Sequence, residues 1–279
     1  MSDPVMPTPP ELVLLCLAML LSGVVAGVLA GLLGVGGGLV IVPMLELALG
    51  VMGVDGAIRM QIAVATSLAT IIPTSIASSR AHYRRNSVDV ELARKWAPWI
   101  FIGALAGAWV ASQVHSRVLS AVFASVAFLV ALKLILPLGE KAFSRSLPHG
   151  PAIIPAPTLI GFISTLMGIG GGSLSVPILT FFGEPIQRAV GTSALFGLLI
   201  AIPGTLGFMF TGQGNPLLPF GNVGFVNLVG LALIAPATVL AAPLGARLAH
   251  SMNKRHLTVL FGVFLLLVAA RMLIRAVQG

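Results

Sequence analysis

Long apolar runs, broken by short polar or glycine-containing stretches, fill the chain from residue 12 to residue 277. In the first half they cover roughly 12–34, 37–50, 61–80, 96–114 and 117–137, and in the second roughly 156–168, 172–183, 188–211, 225–248 and 256–277. The last three runs of each half hold 19–24 residues, enough for a helix to cross a hydrocarbon core about 30 Å thick. The first two runs of each half are parted by a glycine triplet. In the second half these two hold about 12 residues each, about 18 Å as helix and too short to cross. The pattern predicts an all-α polytopic membrane protein. Each half is expected to hold a Gly-broken, re-entrant hairpin, with its glycines at depth, and three transmembrane helices.

The halves also match one another. Gly34-Val35-Gly36-Gly37-Gly38 leads through four residues to Pro43, and Gly168-Ile169-Gly170-Gly171-Gly172 leads through four to Pro177, 134 positions later. Gln61 precedes Ala65-Thr66-Ser67 by the distance at which Gln187 precedes Gly191-Thr192-Ser193. Ala106-Gly107-Ala108 resembles Leu244-Gly245-Ala246, and Leu119, Phe123, Val130 and Lys133 fall opposite Leu257, Phe261, Val268 and Arg271. Landmarks in one order mark a duplication, with a membrane repeat at 12–137, a Pro-containing cytoplasmic linker at 138–155 and a second membrane repeat at 156–277. A returning hairpin plus three spans crosses the membrane an odd number of times, so the second repeat is expected to be inserted inverted.

Composition and charge support this picture. Hydrophobic residues make up 57% of the chain and Asp, Glu, Lys and Arg only 9%, against about a quarter charged in soluble domains, which excludes a soluble globular protein. Met1 to Pro10 holds Asp3 and no Lys or Arg, so a cleavable signal is not expected. Cys16 lies inside an apolar run and reads as a small packing residue. The net charge of +8 raises nucleic acid as a partner, but the cations sit between apolar spans and fit a topology signal instead. Placing the 80–95 loop in the cytoplasm puts Arg80, Arg84, Arg85, Arg94, Lys95, Lys133, Lys141, Arg145, Arg188, Arg247, Lys254 and Arg255 on that side. Arg59, Arg117, Arg271 and Arg275 fall on the other, a split of 12 to 4. The loop equivalent to 80–95 is 211–224, which carries no charge. Both termini are then expected in the periplasm of a bacterial inner membrane.

The candidate chemistry begins at the glycine triplets. A helix broken inside hydrocarbon is tolerated where its backbone is buried in protein or lines a cavity. The half-helix after the break starts with unpaired N–H groups and the positive end of its dipole, an anion site that needs no charged side chain. Two such breaks joined near the midplane is an arrangement that transporters use. The plainer reading is that glycines let helices pack closely. Ser67, Thr70, Thr74 and Ser78 form one polar stripe, extended by Ser75 and Ser79. Their hydroxyls either replace an anion's hydration shell or bond their own preceding carbonyls. Glu46 is a candidate proton carrier unless it is hydrated at the outer surface. Lys133 and Arg271 read as snorkelling anchors. Arg80 and Arg188 are candidates to meet an anion at a cytoplasmic exit, or serve only as topology signals.

The enzyme motifs considered are missing. The sequence has no HExxH, no intramembrane Asp pair, and histidines (His82, His115, His149, His250 and His256) only in expected loops or span ends. No Lys-Ser/Thr follows Gly34 to Gly38, so that run is no phosphate loop. An enzyme is not expected, nor a metal or cofactor.

The duplicated Gly-x-Gly-Gly-Gly-x4-Pro signature, followed by Ala/Gly-Thr-Ser opening a later span, resembles the TauE/SafE family, also called the TSUP or sulfite-exporter family. The resemblance covers residues 12 to 277. It implies movement of sulfite, sulfonates, sulfoacetate or related small organic anions across the cytoplasmic membrane. It places Gly36, Gly37, Gly38 and Pro43 with Gly170, Gly171, Gly172 and Pro177 at the transport core, and Thr66, Ser67, Thr192 and Ser193 on the second motif. Gly191 stands where the first repeat has Ala65, and the second helix lacks most of the hydroxyl stripe. The site is therefore expected to be asymmetric, with the first repeat supplying more hydroxyls.

The sequence reads as a secondary transporter for a small anion, working by alternating access around the paired breaks. Its expected substrate-binding residues are Gly36, Gly37, Gly38, Thr66, Ser67, Thr70, Gly170, Gly171, Gly172, Thr192 and Ser193. Candidates for gating or for proton or ion coupling are Glu46, Gln61, Arg80, Gln187 and Arg188. Pro43 and Pro177 belong to the hairpins. The alternative is a passive anion channel with the same hairpins. The expected partners are the anion and the lipid bilayer, and no feature decides whether the chain pairs as a homodimer.

Overall fold

The computed structural model describes residues 9–33, 37–136, 154–251 and 254–278. Gly36 lies outside the described residues, as does the 138–155 linker except for its last two residues. Ten helices account for the described chain: α1 (Pro9–Leu33), α2 (Gly38–Val51), α3 (Arg59–Tyr83), α4 (Val90–Gln113), α5 (Ser116–Ile135), α6 (Pro155–Met167), α7 (Gly172–Phe181), α8 (Ile186–Thr211), α9 (Leu228–Ser251) and α10 (Lys254–Gln278). They correspond one to one with the ten apolar runs. The charge-free loop also holds a two-stranded antiparallel ribbon, β1 (Asn222–Val223) and β2 (Val226–Asn227), which the apolar pattern did not signal.

Among the described residues, four helical stretches are both long and apolar enough to cross a membrane: Arg59–Tyr83, Ser116–Ile135, Ile186–Thr211 and Val259–Val277. Helices α4 and α9 have the length, at 24 residues each. The two hairpins differ. Helices α6 and α7 have 13 and 10 residues, about 20 and 15 Å of rise, so neither crosses alone. Helix α1 has 25 residues, about 37 Å, and is long enough by itself.

Local chemistry fixes where the helices stop and start. Helix α6 ends because Gly168 takes the left-handed conformation, φ 66°; Ile169 then returns its N–H to the Ser164 carbonyl at 3.0 Å. Helix α2 opens from Gly37, also left-handed at φ 72°, whose carbonyl accepts the N–H groups of Val40 and Ile41 at 3.0 and 3.1 Å. Helices α4 and α9 start alike. The Asp89 carboxylate accepts the Leu92 N–H at 2.9 Å, and the Asn227 side-chain oxygen accepts the Gly230 N–H at 2.6 Å.

The helices pack in matched pairs. Helix α1 lies on α9 as α6 lies on α4; α3 meets α9 as α8 meets α4; α2 covers α3 as α7 covers α8; and α3 pairs with α8, α5 with α10. Exchanging the first five helices for the last five reproduces every one of these pairings. The tightest contacts are made by glycines, which let backbones approach. A Cβ at Gly161 of α6 would collide with the Ile100 carbonyl of α4 and lie 3.0 Å from the Ala104 nitrogen. Between α1 and α9, a Cβ at Gly23 would lie 2.9 Å from the Ile234 carbonyl. Helix α3 is the most enclosed of the four candidate spans, while Trp109, Leu129, Leu240 and Val277 are exposed on the outside of the bundle, as a lipid-facing surface requires.

This packing makes a stability prediction. Gly161→Ala forces α4 and α6 apart and is expected to cost about 1–3 kcal/mol, as overpacking does, read as a lower thermal midpoint of the detergent-solubilised protein. Gly56→Ala adds a methyl where nothing lies within 4 Å and is expected to change stability by less than about 0.5 kcal/mol. Equal midpoints for both would contradict the close approach of α4 and α6.

Candidate functional site

The two glycine breaks meet. A Cβ at Gly38, where α2 starts, would lie 2.5 Å from the Gly168 carbonyl and 2.9 Å from Ile169 Cα. A Cβ at Gly168 would in turn lie 2.8 Å from Val64 Cα of α3 and 2.9 Å from the Val42 side chain of α2. On the other side of the second break, a Cβ at Gly171 would lie 2.6 Å from the Ser193 carbonyl and 2.8 Å from the Gly197 nitrogen, both on α8. Gly170, Gly171 and Gly172 are all buried. The second triplet is thus wedged between α8 and the first hairpin, with α7 pointing its N-terminal N–H groups into the junction.

The duplicated Thr-Ser pairs hold this junction together. Ser67 donates its hydroxyl to the Gly168 carbonyl at 2.7 Å, tying α3 to the left-handed turn of the second hairpin. Thr66 accepts the Asn227 N–H at 2.9 Å, and Thr192 accepts the Asp89 N–H at 2.9 Å. Each threonine therefore satisfies the backbone N–H of the residue that caps a helix in the other half. Thr70 and Thr74 turn back onto their own helix, Thr70 to the Ser67 carbonyl at 2.7 Å and Thr74 to the Ile71 carbonyl at 2.9 Å. For Thr70 and Thr74 the geometry is that of hydroxyls bonding their own helix carbonyls.

Among the described residues, the fully buried hydroxyls left without a hydrogen-bond partner belong to the second half. Ser164 and Thr165 at the end of α6, Ser175 near the start of α7, and Ser193 and Thr205 on α8 are buried with no hydrogen bond to the described residues. The indole N–H of Trp96 is in the same condition. Trp96 stacks on Phe196 with centroids 5.5 Å apart, and the Phe196 Cβ would lie 2.8 Å from a Cβ at Gly171. Thr165 reaches both Gly107 of α4 and Gly204 of α8. The second half thus holds the fully buried hydroxyls that lack a partner among the described residues. In the first repeat, Thr70, Thr74 and Ser79 bond carbonyls of their own helix, while Ser75 lies beside Gly197 of α8. Sequence reasoning missed Trp96, Ser164, Thr165, Ser175 and Thr205, because a hydroxyl on a helix looks the same whether or not a carbonyl lies behind it.

The gating and coupling candidates do not gather at this junction. Gln61 donates to the Val114 carbonyl at 2.8 Å and accepts from Ser116 at 2.6 Å, fastening α3 to the start of α5. Its sequence counterpart Gln187 is exposed, as are Arg188 and Arg80. Pro43 and Pro177 sit inside α2 and α7. Glu46 is 4% exposed and is the one charged residue among the buried side chains described. It faces Arg59 at 3.9 Å, Arg271 at 3.7 Å and Arg275, so it serves as the counter-ion of an arginine cluster. Arg271, read in the sequence as a snorkelling anchor, also pairs with Glu46 at 3.7 Å while its side chain stays 35% exposed.

Around the glycine breaks, then, the described protein offers backbone groups and neutral hydroxyls, with Ser67, Ser164, Thr165, Ser175 and Ser193 as the polar side chains named there. Groups of this kind are able to hydrogen-bond a small polar or anionic solute without a charged side chain.

Comparison with known proteins agrees with a transport role. The chain is 34% identical to a "Probable membrane transporter protein" of Haemophilus influenzae over 264 residues, covering 94% of this chain and 98% of that one. It is 27% identical to "Probable membrane transporter protein YunE" of Bacillus subtilis, covering 90% of this chain and 94% of that one. A further probable membrane transporter protein, from Methanocaldococcus jannaschii, is 26% identical over 92% of this chain and 97% of its own length. No solved structure matches the chain. The sequence pattern of the family described as sulfite exporter TauE/SafE matches residues 19–272, almost the whole described bundle, and the chain is a multi-pass membrane protein belonging to that family.

Proposed function

We propose that this protein is a secondary transporter that moves a small organic or sulfur-containing anion, such as a sulfonate, sulfoacetate or sulfite, across the cytoplasmic membrane by alternating access. The observation that carries the reading is the junction of the two glycine breaks. It is buried, bordered by unpartnered hydroxyls, and set at the start of a ten-residue half-helix, where the positive end of the helix dipole lies. Ser193 and the first N–H groups of α7 are the primary anion contacts, with Gly170, Gly171 and Gly172 giving backbone access. Gly36, Gly37 and Gly38 supply the facing break. Thr66, Ser67, Thr70 and Thr192 hold the frame.

The two repeats are read as inverted copies, with the cell membrane's cytoplasmic face at the 80–95 loop and both chain ends on the periplasmic face. The exchangeable helix pairings and the reciprocal caps, Thr66 with Asn227 and Thr192 with Asp89, support that reading, because a two-fold axis in the membrane plane generates such pairs. One repeat rocking against the other would expose the junction to each side in turn. The contact of Gly38 with Gly168 is the seam that such a motion must open.

Two experiments test these statements. Proteoliposomes containing the protein are expected to take up labelled sulfite or sulfoacetate saturably and to show counterflow. Ser193→Ala, which removes a hydroxyl without adding bulk, is expected to raise KM about tenfold, the effect of losing one charge-assisted hydrogen bond. Gly171→Leu, which collides with the Ser193 carbonyl, is expected to abolish uptake. Flux without saturation or counterflow would replace the transporter by a channel, and unchanged kinetics in both variants would remove the hairpin site. For topology, a cysteine at Gln213 is expected to react with an impermeant maleimide added outside whole cells, and one at Arg84 is not, in a Cys16→Ser background. Labelling of both from outside would end the inverted arrangement.

A further inference from the structure

Four arginines converge at the end of the bundle where α3 and α5 begin and α2 and α10 end. Arg59 opens α3, Arg117 lies in the first turn of α5, and Arg271 and Arg275 lie in the last turns of α10. Glu46, Arg59, Arg117 and Arg275 line one cavity of about 720 Å³, together with His115 and Ser120. Glu46 is the anion of the group, and it is already shared. One oxygen faces Arg59 and Arg275 and the other Arg271.

An ion-pair staple joining α2 to α3 and α10 is the plain reading of Glu46, and part of the cluster fits it. Arg59 spends its Nε and Nη2 on the Val54 carbonyl, at 3.0 and 2.7 Å, beyond the end of α2. The C-terminal dipole of α2 adds a fraction of a negative charge there. The staple does not account for the rest. Three guanidiniums face one carboxylate, and a fourth, that of Arg117, lines the same cavity. Asp55, exposed in the same loop, gives an oxygen to the Ala57 N–H at 2.8 Å; counted in full, it still leaves two positive charges in surplus. Arg117 lines the cavity with no partner among the described residues. The Arg271 and Arg275 side chains remain 35% and 38% exposed while Glu46 is buried at their back, so their free N–H donors open toward solvent. Gly50 leaves room for this crowding: a Cβ there would lie 3.0 Å from Arg59 Nη1 and 3.4 Å from Arg275 Nη2.

We propose that this cavity is a second anion site, a vestibule in which Arg117 and Arg275 bind the oxygen fork of a small oxyanion, with Glu46, Arg59 and Arg271 holding the cluster in place. Guanidinium forks match sulfonate, sulfite and phosphate oxygens bidentately, and a concave cluster of one sign raises the local concentration of the opposite ion. The vestibule is distinct from the hairpin junction in chemistry as well as place. It recognises charge, whereas the junction is neutral and recognises shape and hydrogen bonding. Its ligand is identified as the transported anion on the strength of the transport reading; an anionic lipid headgroup offers the same oxygens.

The test is residue-resolved protection of arginines from phenylglyoxal, read by mass spectrometry on the full-length protein in phosphatidylcholine nanodiscs. Methanesulfonate is expected to slow modification of Arg117 and Arg275 severalfold relative to chloride at equal ionic strength, leaving exposed Arg84 in the basic loop unaffected. Protection that is already present without methanesulfonate in nanodiscs containing phosphatidylglycerol would assign the site to a lipid headgroup, which also supports an oxyanion site. Equal modification rates under all conditions overturn the proposal. Arg117→Gln, which breaks no bond of the staple, is expected to remove the protection at Arg275 and to raise the KM of uptake with little change in kcat. Uptake that is saturable but indifferent to Arg117→Gln, together with no protection, would refute the vestibule and leave the transporter standing. Protection without any uptake would do the reverse.

Discussion

A helix broken inside an apolar bundle leaves backbone N–H and carbonyl groups that water cannot reach, and each must find a partner within the protein. The fold can be read as a set of answers to that demand. Ser67 bonds the carbonyl of the left-handed Gly168, Thr66 takes the N–H of Asn227, and Thr192 takes the N–H of Asp89. All three bonds cross from one half of the chain to the other. These hydroxyls, one at a break and two at capped helix starts, are therefore also the bolts between the halves, and removing one leaves a buried backbone group unsatisfied, which costs about 1–3 kcal/mol. Of the two pairs, Ser67 satisfies a carbonyl at a glycine break, the threonines satisfy the capped helix starts, and Ser193 is left without a partner.

The remainder of the polar inventory divides by charge. Near the breaks the named groups are neutral, and five hydroxyls plus the Trp96 indole remain without partners. At the end of the bundle where α10 finishes, arginines exceed carboxylates. A neutral interior avoids the desolvation cost of an isolated buried charge, while a cationic cavity open to solvent bears that cost only in part. In the transport reading, an anion is gathered where charge is cheap and held where only backbone and hydroxyls are available. The close packing of Gly38 on Gly168 is then one closed arrangement of a seam that has to separate.

Much of this was legible in the sequence. The apolar runs located all ten helices, since long hydrophobic stretches and their glycine and proline breaks are strong local signals. The duplication of Gly34 to Pro43 at Gly168 to Pro177 identified the elements that meet at the centre. The grouping of Arg59, Arg117, Arg271 and Arg275 on one face followed from counting cations by loop. Other features were not legible. That Arg271 turns to Glu46, on a helix more than two hundred residues away in sequence, depends on α10 lying beside α2. Whether Thr70 faces a ligand or its own Ser67 carbonyl depends on a rotamer, which composition does not encode. The 25 residues of α1, set against 13 in α6, make the two hairpins unequal even though their glycine signatures match. Repeats share motifs while their ends adapt to different neighbours.

The central claim is that a small oxyanion binds in the membrane interior at the junction of the two glycine breaks, held by neutral donors. Selenite carries the geometry of sulfite together with an anomalous scatterer, so crystals grown with it would locate the anion directly. The account predicts a selenium peak within hydrogen-bonding distance of Ser193 and the first N–H groups of α7. Selenium density confined to the arginine cavity, with none beside Gly171 and Ser193, would contradict it.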